Sequence, residues 1–289
     1  MKKILILLLC LPILGFGQFG TGSQTPANAQ DTFDVNNIRT LLGPGSFMWD
    51  LDDAFFEVPK GGKRHSIFAH EHWIGGVDDG GGLRVAAMTY RQGGNDFWAG
   101  PCSDSIYQNP THMSVWDKAW KINKTDIDSF INSYTNPNYT IPNSILDWPA
   151  HGDTTLGQAY NLAPFYDNNN NNVYDPNNGD YPQIKGNQAI YVIRNDVGNI
   201  HTESEAQPLG IEQHLMFYGY KCDDNPAINN TLFCSMKIYN RKGVNLNDVY
   251  VGTWTDPDLG FYLDDFVGCN VDLDLAYVVN GDAEDEGTR

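Results

Sequence analysis

The sequence predicts an all-β protein: an antiparallel β-sandwich, of the jelly-roll or immunoglobulin-like kind, with one amphipathic helix and long loops rich in Asn and Pro. Three observations predict it. Short runs of branched and aromatic residues recur between turn residues, a single segment has the helical period, and one long connection contains six prolines.

Residues 1–18 have the composition of a signal peptide. Lys2 and Lys3 precede an apolar run from Ile4 to Leu14, and small residues follow before Gln18. That run is too short to span a membrane, and no later segment reaches the ~18 apolar residues that a spanning helix needs. The sequence therefore predicts an exported chain with no transmembrane segment, located outside the cell or on its outer surface.

Residues 19–36 are polar and predict a flexible leader, and residues 37–289 predict one β-rich extracellular module. Its strands are predicted where branched and aromatic residues cluster between Gly, Asn, Asp or Pro. The clearest runs are HSIFAHEHWIGG, LRVAAMTY, QAIYVIR, IEQHLMFYGY, TLFCSMKIYN, NDVYVGTWT and LDLAYVVN. Because the chain stops directly after the last run, we expect it to be a fragment of a longer protein.

The predicted helix lies in NKTDIDSFINSY, with Thr125 as its N-cap and Asp128 three residues later. Its apolar residues recur at the spacing of one helical face, so the helix should cover a sheet; they are Ile127, Phe130, Ile131 and Tyr134. A long connection follows, from Thr135 to Gly186. Connections of that length are usually functional or held in place by something.

The net charge of −18 bears on the possible partners. Such a surface repels nucleic acid and anionic membranes, and it attracts cations or basic groups. We therefore expect no nucleic-acid partner.

Four cysteines follow the predicted signal peptide, and export favours disulfides. Cys222 and Cys234 flank a turn-rich segment between two apolar runs, so a bridge between them is the preferred pairing. Cys102 with Cys269 follows by elimination. The sequence has no CxxC motif, which disfavours a zinc ribbon or a thioredoxin-like redox site.

The segment FYDNNNNNVYDPNNGDYPQIKG has the oxygen spacing of a calcium loop, with Asp167 as position one. The predicted ligands are Asp167, Asn169, Asn171, the backbone carbonyl of Val173, Asp175 and Asp180. Position six is Asn172 instead of Gly, and Asn is the residue that best tolerates a left-handed backbone after Gly. The other interpretation is a disordered Asn-rich loop. Aromatic residues and prolines that frame the run speak against disorder.

A second acidic segment, WTDPDLGFYLDDFVGC, supplies four more candidate metal ligands. Asp256 and Asp258 are two residues apart, so an extended backbone would place both on the same side. Asp264 and Asp265 follow after a turn at Gly260. A solvated acidic hairpin explains the same residues, and the sequence leaves both interpretations open.

Several blocks along the chain resemble large secreted or surface proteins of Bacteroidetes, of the kind exported by the type IX secretion system. The resemblance rests on MWDLDDAFFEVPKGGKRHSIFAHEHWIGG, LRVAAMTYRQGGNDFWAGP, WDKAWKINKTDIDSFI, YDNNNNNVYDPNNGDYPQIKGNQAIYVIRND, NPAINNTLFCSMKIYNR and DPDLGFYLDDFVGC. It implies a cell-surface module and contact with the secretion machinery. The chain departs from the pattern at His70, Glu71 and His72, where the relatives have small or apolar residues.

Catalytic motifs are weak. His70 and His72 would share one face of a strand and could bind zinc with a third ligand, but the chain has no HExxH motif and no GxSxG motif. Glycoside hydrolysis needs a carboxylate pair, and no spacing singles one out. Tryptophans could stack on sugar rings if they are exposed, or fill the core if they are not; they are Trp73, Trp98, Trp116, Trp120, Trp148 and Trp254.

The sequence therefore predicts a calcium-stabilised structural, adhesive or binding module of a larger bacterial surface protein, with surface glycans or other cell-surface proteins as partners. The alternative is a secreted polysaccharide-binding protein or a glycoside hydrolase.

Overall fold

Two antiparallel sheets form the body of the chain in the computed structural model, which describes residues 21–50, 53–90 and 93–283. This arrangement confirms the predicted all-β class. The predicted signal peptide, residues 1–18, lies outside the described residues. No helix among the described residues has both the length and the apolar character that crossing a bilayer would need.

The strands, in chain order, are β1 (Asp31–Phe33), β2 (Arg39–Gly43), β3 (Ser46–Phe47), β4 (Trp49–Asp50), β5 (Asp53–Ala54), β6 (Phe56–Glu57), β7 (Ile67–Asp78), β8 (Leu83–Ala86), β9 (Trp98–Ala99), β10 (Trp120–Asn123), β11 (Phe165–Tyr166), β12 (Tyr181–Pro182), β13 (Gln188–Asn195), β14 (Ile211–Gly219), β15 (Phe233–Asn240), β16 (Leu246–Pro257), β17 (Asp265–Asn270) and β18 (Leu275–Asn280). The α-helices are α1 (Pro110–Met113), α2 (Lys124–Ser133), α3 (Asn143–Leu146) and α4 (Pro226–Asn229). Short 3-10 helices cover Ser114–Trp116, Thr154–Leu156, Pro176–Asn178 and Val271–Leu273.

The first sheet has the order β1-β2-β3-β7-β16, with β6 paired to β2 and β8 paired to β7. The second has the order β10-β13-β14-β15, with β9 paired to β13. Each of the seven predicted runs contains a strand, namely β7, β8, β13, β14, β15, β16 and β18. Turn residues on both sides of each run made these strands visible in the sequence.

The main core lies between the two sheets. Phe33, Leu42 and Phe47 of the first sheet pack against Val192 and Phe217 of the second. The opposite face of the second sheet is also covered, because alternate residues of β13 pack against α2 and the long connection. Strand β13 is therefore buried at every position, which explains its almost continuous apolar sequence.

Helix α2 covers the second sheet as predicted, but its start and its buried face differ from the prediction. Asn123 occupies the N-cap position and Thr125 lies inside the first turn. Ile127 and Phe130 are buried, whereas Ile131 is 43% exposed. The sheet contacts only a narrow stripe of this single helix, so one of the predicted apolar positions remains at the surface.

Residues 21–36 differ from the predicted flexible leader. Gln24 is buried and donates a hydrogen bond to the carbonyl of Ala99 at 2.6 Å, and Ala27 is also buried. Strand β1 then extends the first sheet. The polar residues that predicted mobility bond to the sandwich, which a composition argument does not detect.

The predicted disulfides are wrong for the described chain, because all four of its cysteines are free. Cys234 faces Phe217 across β15 and β14, and Cys222 lies in the turn before α4. Cys102 is buried beside the carbonyl of Ile211, whereas Cys269 pairs in register with Ala276 in the hairpin of β17 and β18. Each thiol is thus fixed in a different part of the fold.

Candidate calcium loop and aromatic face

The ends of the Asn-rich segment are held together by a short ladder. Phe165 pairs with Pro182 and Tyr166 pairs with Tyr181. The rings of Tyr166 and Tyr181 stack with centroids 4.8 Å apart. The residues between β11 and β12 therefore form a closed loop instead of an open linker.

Inside this loop the predicted ligands turn toward the backbone of their own segment. The carboxylate of Asp167 accepts hydrogen bonds from the N–H groups of Asn171 at 3.2 Å and Asn172 at 2.7 Å. Asn169 Oδ1 also accepts from the N–H of Asn171, at 3.1 Å, and Asn171 Oδ1 accepts from the N–H of Val173, at 2.7 Å. Oxygens at alternate positions are therefore gathered on the concave side of one tight turn.

Two asparagines give the loop its curvature. Asn170 and Asn172 have φ angles of 58° and 59°, in the left-handed region. Position six of a calcium loop requires a left-handed backbone, and Asn172 at that position has one. Asn adopts this conformation at low cost because its short polar side chain bonds locally.

Asp175 and Asp180 form a pair of carboxyl groups at the base of the loop. Asp180 is fully buried and accepts hydrogen bonds from the N–H groups of Asn168 at 2.8 Å and Asp175 at 3.0 Å. Burial raises the pKa of Asp180, and a hydrogen bond from the side chain of Asn178 lowers the pKa of Asp175. Two carboxyl groups this close disfavour double ionisation unless a cation joins them.

The loop is also tied to the body of the protein. The hydroxyl of Tyr160 donates to the carbonyl of Asn172 at 3.1 Å, and the N–H of Tyr174 donates to His151 Nε2 at 2.9 Å. The hydroxyl of Tyr174 donates to the carbonyl of Ile145 at 2.6 Å. These contacts explain how a run of five asparagines adopts one conformation.

The side chains of the loop present oxygen atoms, which a hard cation prefers, but few of these atoms belong to carboxylates. Nowhere in residues 21–50, 53–90 and 93–283 do three or more His, Cys, Asp or Glu side chains form a group that could hold a metal. A cation in this loop would therefore depend on the amide oxygens of Asn169 and Asn171 and on backbone carbonyls, together with Asp167 and Asp175. Calcium accepts such oxygens, at the cost of weaker binding than an all-carboxylate site.

The second acidic segment is arranged differently. Asp256 accepts a hydrogen bond from the hydroxyl of Tyr90. Burial raises the pKa of Tyr90 to about 12, and the charges of Asp256 and Asp258 add to the effect. Asp265 accepts from the N–H of Leu259 at 2.8 Å.

The fourth acid of that segment, Asp264, accepts through its backbone carbonyl from the N–H of Gly281 at 2.7 Å. Asp256 and Asp258 thus raise the pKa of Tyr90, whereas Asp264 and Asp265 accept hydrogen bonds from backbone N–H groups near the start of β17.

His70 and His72 share one face of β7, as predicted, with ring centroids 5.1 Å apart. Burial, followed by the nearby Arg194, lowers the pKa of His70 to about 4 and that of His72 to about 3. His70 Nδ1 lies 2.8 Å from the hydroxyl oxygen of Thr255. The side chain of His70 also borders a mainly apolar cavity of about 610 Å³, which is lined by both sheets and by the hairpin of β17 and β18. A neighbouring guanidinium disfavours a metal cation here, so the pair is better explained as neutral core histidines.

The exposure of the tryptophans separates two groups. Trp98, Trp120 and Trp148 are buried in the core. Trp73, in contrast, is 37% exposed and its ring lies parallel to that of Trp254, with an interplanar angle of 9° and centroids 6.2 Å apart. Trp73 is exposed and Trp254 is half-buried, and the two lie on the strand pair β7 and β16, next to the second acidic segment.

The rings of Tyr90 and Trp254 form an edge-to-face contact, with centroids 5.1 Å apart and an interplanar angle of 89°. Tyr90 therefore contacts both the indole of Trp254 and the carboxylate of Asp256. Sequence inspection missed Tyr90 because its strand-like run, LRVAAMTY, carries no motif, and its partners lie far along the chain.

The chain matches no family model, no curated protein and no solved structure.

Proposed function

We propose that this chain is a calcium-stabilised extracellular β-sandwich module, acting as a structural, adhesive or binding part of a larger bacterial cell-surface protein. The observation that carries the proposal is the inward turn of Asp167, Asn169 and Asn171 in a loop braced by buried Asp180. A cation would neutralise the pair formed by Asp175 and Asp180 and would hold the connection on the second sheet.

Calcium is the metal that suits these residues. All of the predicted ligands present oxygen, and a hard cation with a coordination number of six to eight accepts amide and carbonyl oxygens. The small number of carboxylates suggests a Kd of roughly 10⁻⁴ to 10⁻³ M, which is typical of extracellular modules. The extracellular location itself is proposed from the N-terminal signal-like sequence and from the resemblance to exported surface proteins.

A thermal unfolding experiment tests the metal. The melting temperature should rise when millimolar calcium replaces a chelator, because a ligand that binds only the folded state adds RT ln(1 + [L]/Kd), or about 2.7 kcal/mol at 100 times Kd. Asp167→Ala should abolish the rise. Asp223→Ala, which removes an exposed carboxylate from a distant turn, is the matched control and should retain it. Identical melting curves with calcium and with chelator would overturn the proposal.

A second candidate function, polysaccharide binding, is favoured by the exposed Trp73 and the half-buried Trp254, whose parallel rings lie beside Asp256. Glycoside hydrolysis is less well supported. Asp256 accepts a hydrogen bond from the hydroxyl of Tyr90 and Asp258 is buried, so these two acids do not form the pair of free carboxyl groups, one of them a proton donor, that glycoside hydrolysis requires.

A further inference from the structure

One face of the strand pair β7 and β16 carries an ordered group of aromatic side chains. In the register, Trp73 lies opposite Gly252, Trp254 lies opposite Glu71, and Tyr250 lies opposite Gly75. Alternate residues of β16 point to the same face, so Tyr250 and Trp254 flank Gly252 on the side that also presents Trp73. We call Trp73, Trp254, Tyr250 and Tyr90 the aromatic platform.

Gly252 leaves an open position within the platform. A Cβ atom added there would meet nothing within 4 Å, and the residue has no positive φ angle that would demand glycine. Neither packing nor backbone conformation therefore explains the absence of a side chain. A glycine inside a strand often marks a place where a ligand approaches the backbone closely.

The indoles are held in place before any ligand arrives. Trp73 Nε1 donates a hydrogen bond to the carbonyl of Met88 at 2.6 Å. Trp254 is braced by the edge of Tyr90, which is itself fixed by its bond to Asp256. Tyr250, 78% exposed, extends the apolar surface along β16. Side chains that are already ordered lose little conformational entropy on binding.

The charges beside the platform limit the chemistry of the ligand. Asp256 and Asp258 both lie close enough to Tyr90 to raise its pKa. The whole chain has a net charge of −18. An anionic ligand would be repelled, whereas a neutral or cationic one would not.

We infer that the aromatic platform binds a glycan built of neutral or amino sugars. The C–H faces of successive sugar rings stack on Trp73 and Trp254, one ring occupies the space above Gly252, and Asp256 accepts a hydrogen bond from a sugar hydroxyl or ammonium group. This inference rests on the second candidate function and is independent of the calcium loop.

Calorimetric titration with three defined probes tests the ligand class: cellohexaose, which is neutral, chitosan hexamer, which is cationic, and oligogalacturonate, which is anionic. We expect binding of one or both of the first two and none of the third. Tight binding of oligogalacturonate would overturn the charge argument, and no binding of any probe would overturn the platform. In the latter case an intact calcium-dependent rise in melting temperature would still support the metal proposal.

Three variants test the position. Gly252→Leu adds a strand-compatible side chain in the open space, so it should fold normally and weaken binding at least tenfold. Trp254→Ala should have a similar effect, with circular dichroism and melting temperature as folding checks. Tyr220→Ala removes an exposed aromatic ring that follows β14, outside both proposed sites, and is the matched control. Unchanged affinity in a folded Gly252→Leu variant would contradict the assignment.

The same face could instead join two copies of the chain, and sedimentation velocity distinguishes this outcome. A wild-type dimer that Gly252→Leu converts to monomers would identify a protein interface and overturn glycan binding. A wild type that stays monomeric at the concentrations of the titration supports the glycan site.

Discussion

The two acidic segments of this chain, Asp167–Asp180 and Asp256–Asp265, both contain closely spaced side chains that carry oxygen, but their structures differ. In the first, Asp167 accepts hydrogen bonds from residues four and five positions away. In the second, Asp256 bonds to Tyr90, which is 166 positions away. Spacing along the chain is therefore informative about a loop that folds on itself, and much less informative about acids whose partners come from other strands.

The difference also separates the two proposed roles. Local bonds gather the oxygens of the first segment at one point, which suits a cation. Tyr90, a partner from elsewhere in the chain, connects Asp256 of the second segment to Trp254 and the exposed Trp73, which suits a polar ligand with apolar faces. Variants that remove hydrogen bonds from each segment test whether the two segments have these different roles.

The largest effect is expected for Asp180→Ala. The buried carboxylate of Asp180 accepts hydrogen bonds from two backbone N–H groups. Because the substitution leaves both donors without an acceptor, we expect the free energy of unfolding to fall by about 3 kcal/mol. Asp265→Ala, which removes the acceptor of one N–H group, should cost about 1 kcal/mol. Urea denaturation without calcium measures both, and equal losses would argue against the special position of Asp180.

The second prediction concerns where calcium acts. Asp264→Ala and Asp265→Ala, combined in one variant, should retain the full calcium stabilisation of about 2.7 kcal/mol at 100 times Kd, because both residues bond to backbone N–H groups around the start of β17, away from the Asn-rich loop. Urea denaturation with and without calcium measures the difference. A lost calcium response in this double variant would place the cation in the second segment instead of the loop.

Much of the fold could be predicted because its signals are local. Strands β13 and β14 are bounded by turn residues and have apolar runs of the right length. The leader was misjudged because the burial of Gln24 depends on Ala99, a residue far along the chain. The disulfide pairing failed for the same reason, since turn-flanking cysteines say nothing about which strand face each thiol occupies.

The two candidate sites differ in the same way. The loop could be predicted, including the left-handed Asn172, because its geometry is encoded within a few residues. The aromatic platform could not, since it needs the register that places Trp73 diagonally across from Trp254 and directly opposite Gly252. Gly252 inside a strand-like run was the available signal, and it is uninformative until the neighbouring strand is known.

An intermediate effect is expected from the backbone of the loop. Asn172→Ala should lower the free energy of unfolding by about 1 kcal/mol, because alanine adopts a left-handed conformation at a cost of roughly 1–2 kcal/mol. Asn172→Gly should be close to neutral, since glycine tolerates this φ angle. Denaturant unfolding of both variants provides the test. A more stable alanine variant would mean that the left-handed turn is not maintained in solution.

The smallest effect is expected from pH, because the two carboxyl groups at the base of the loop act in opposite directions. The pKa of Asp180 is raised above its ordinary 3.8, so the stability that its protonated form contributes is lost as the pH rises from about 4 through the raised value. The pKa of Asp175 is lowered, so its contribution is lost as the pH falls below about 4.

Above about pH 4 only the Asp180 effect remains, and bound calcium should offset it by neutralising the pair. Burial also raises the pKa of Asp196 to about 6, which lowers stability over the same range. The loop must therefore be isolated by subtracting the pH dependence of Asp180→Asn from that of the wild type in chelator, using urea unfolding between pH 4 and 7. The difference should decline with rising pH and flatten when calcium is added; a difference that rises with pH would mean that Asp180 is stabilised as a carboxylate without any metal.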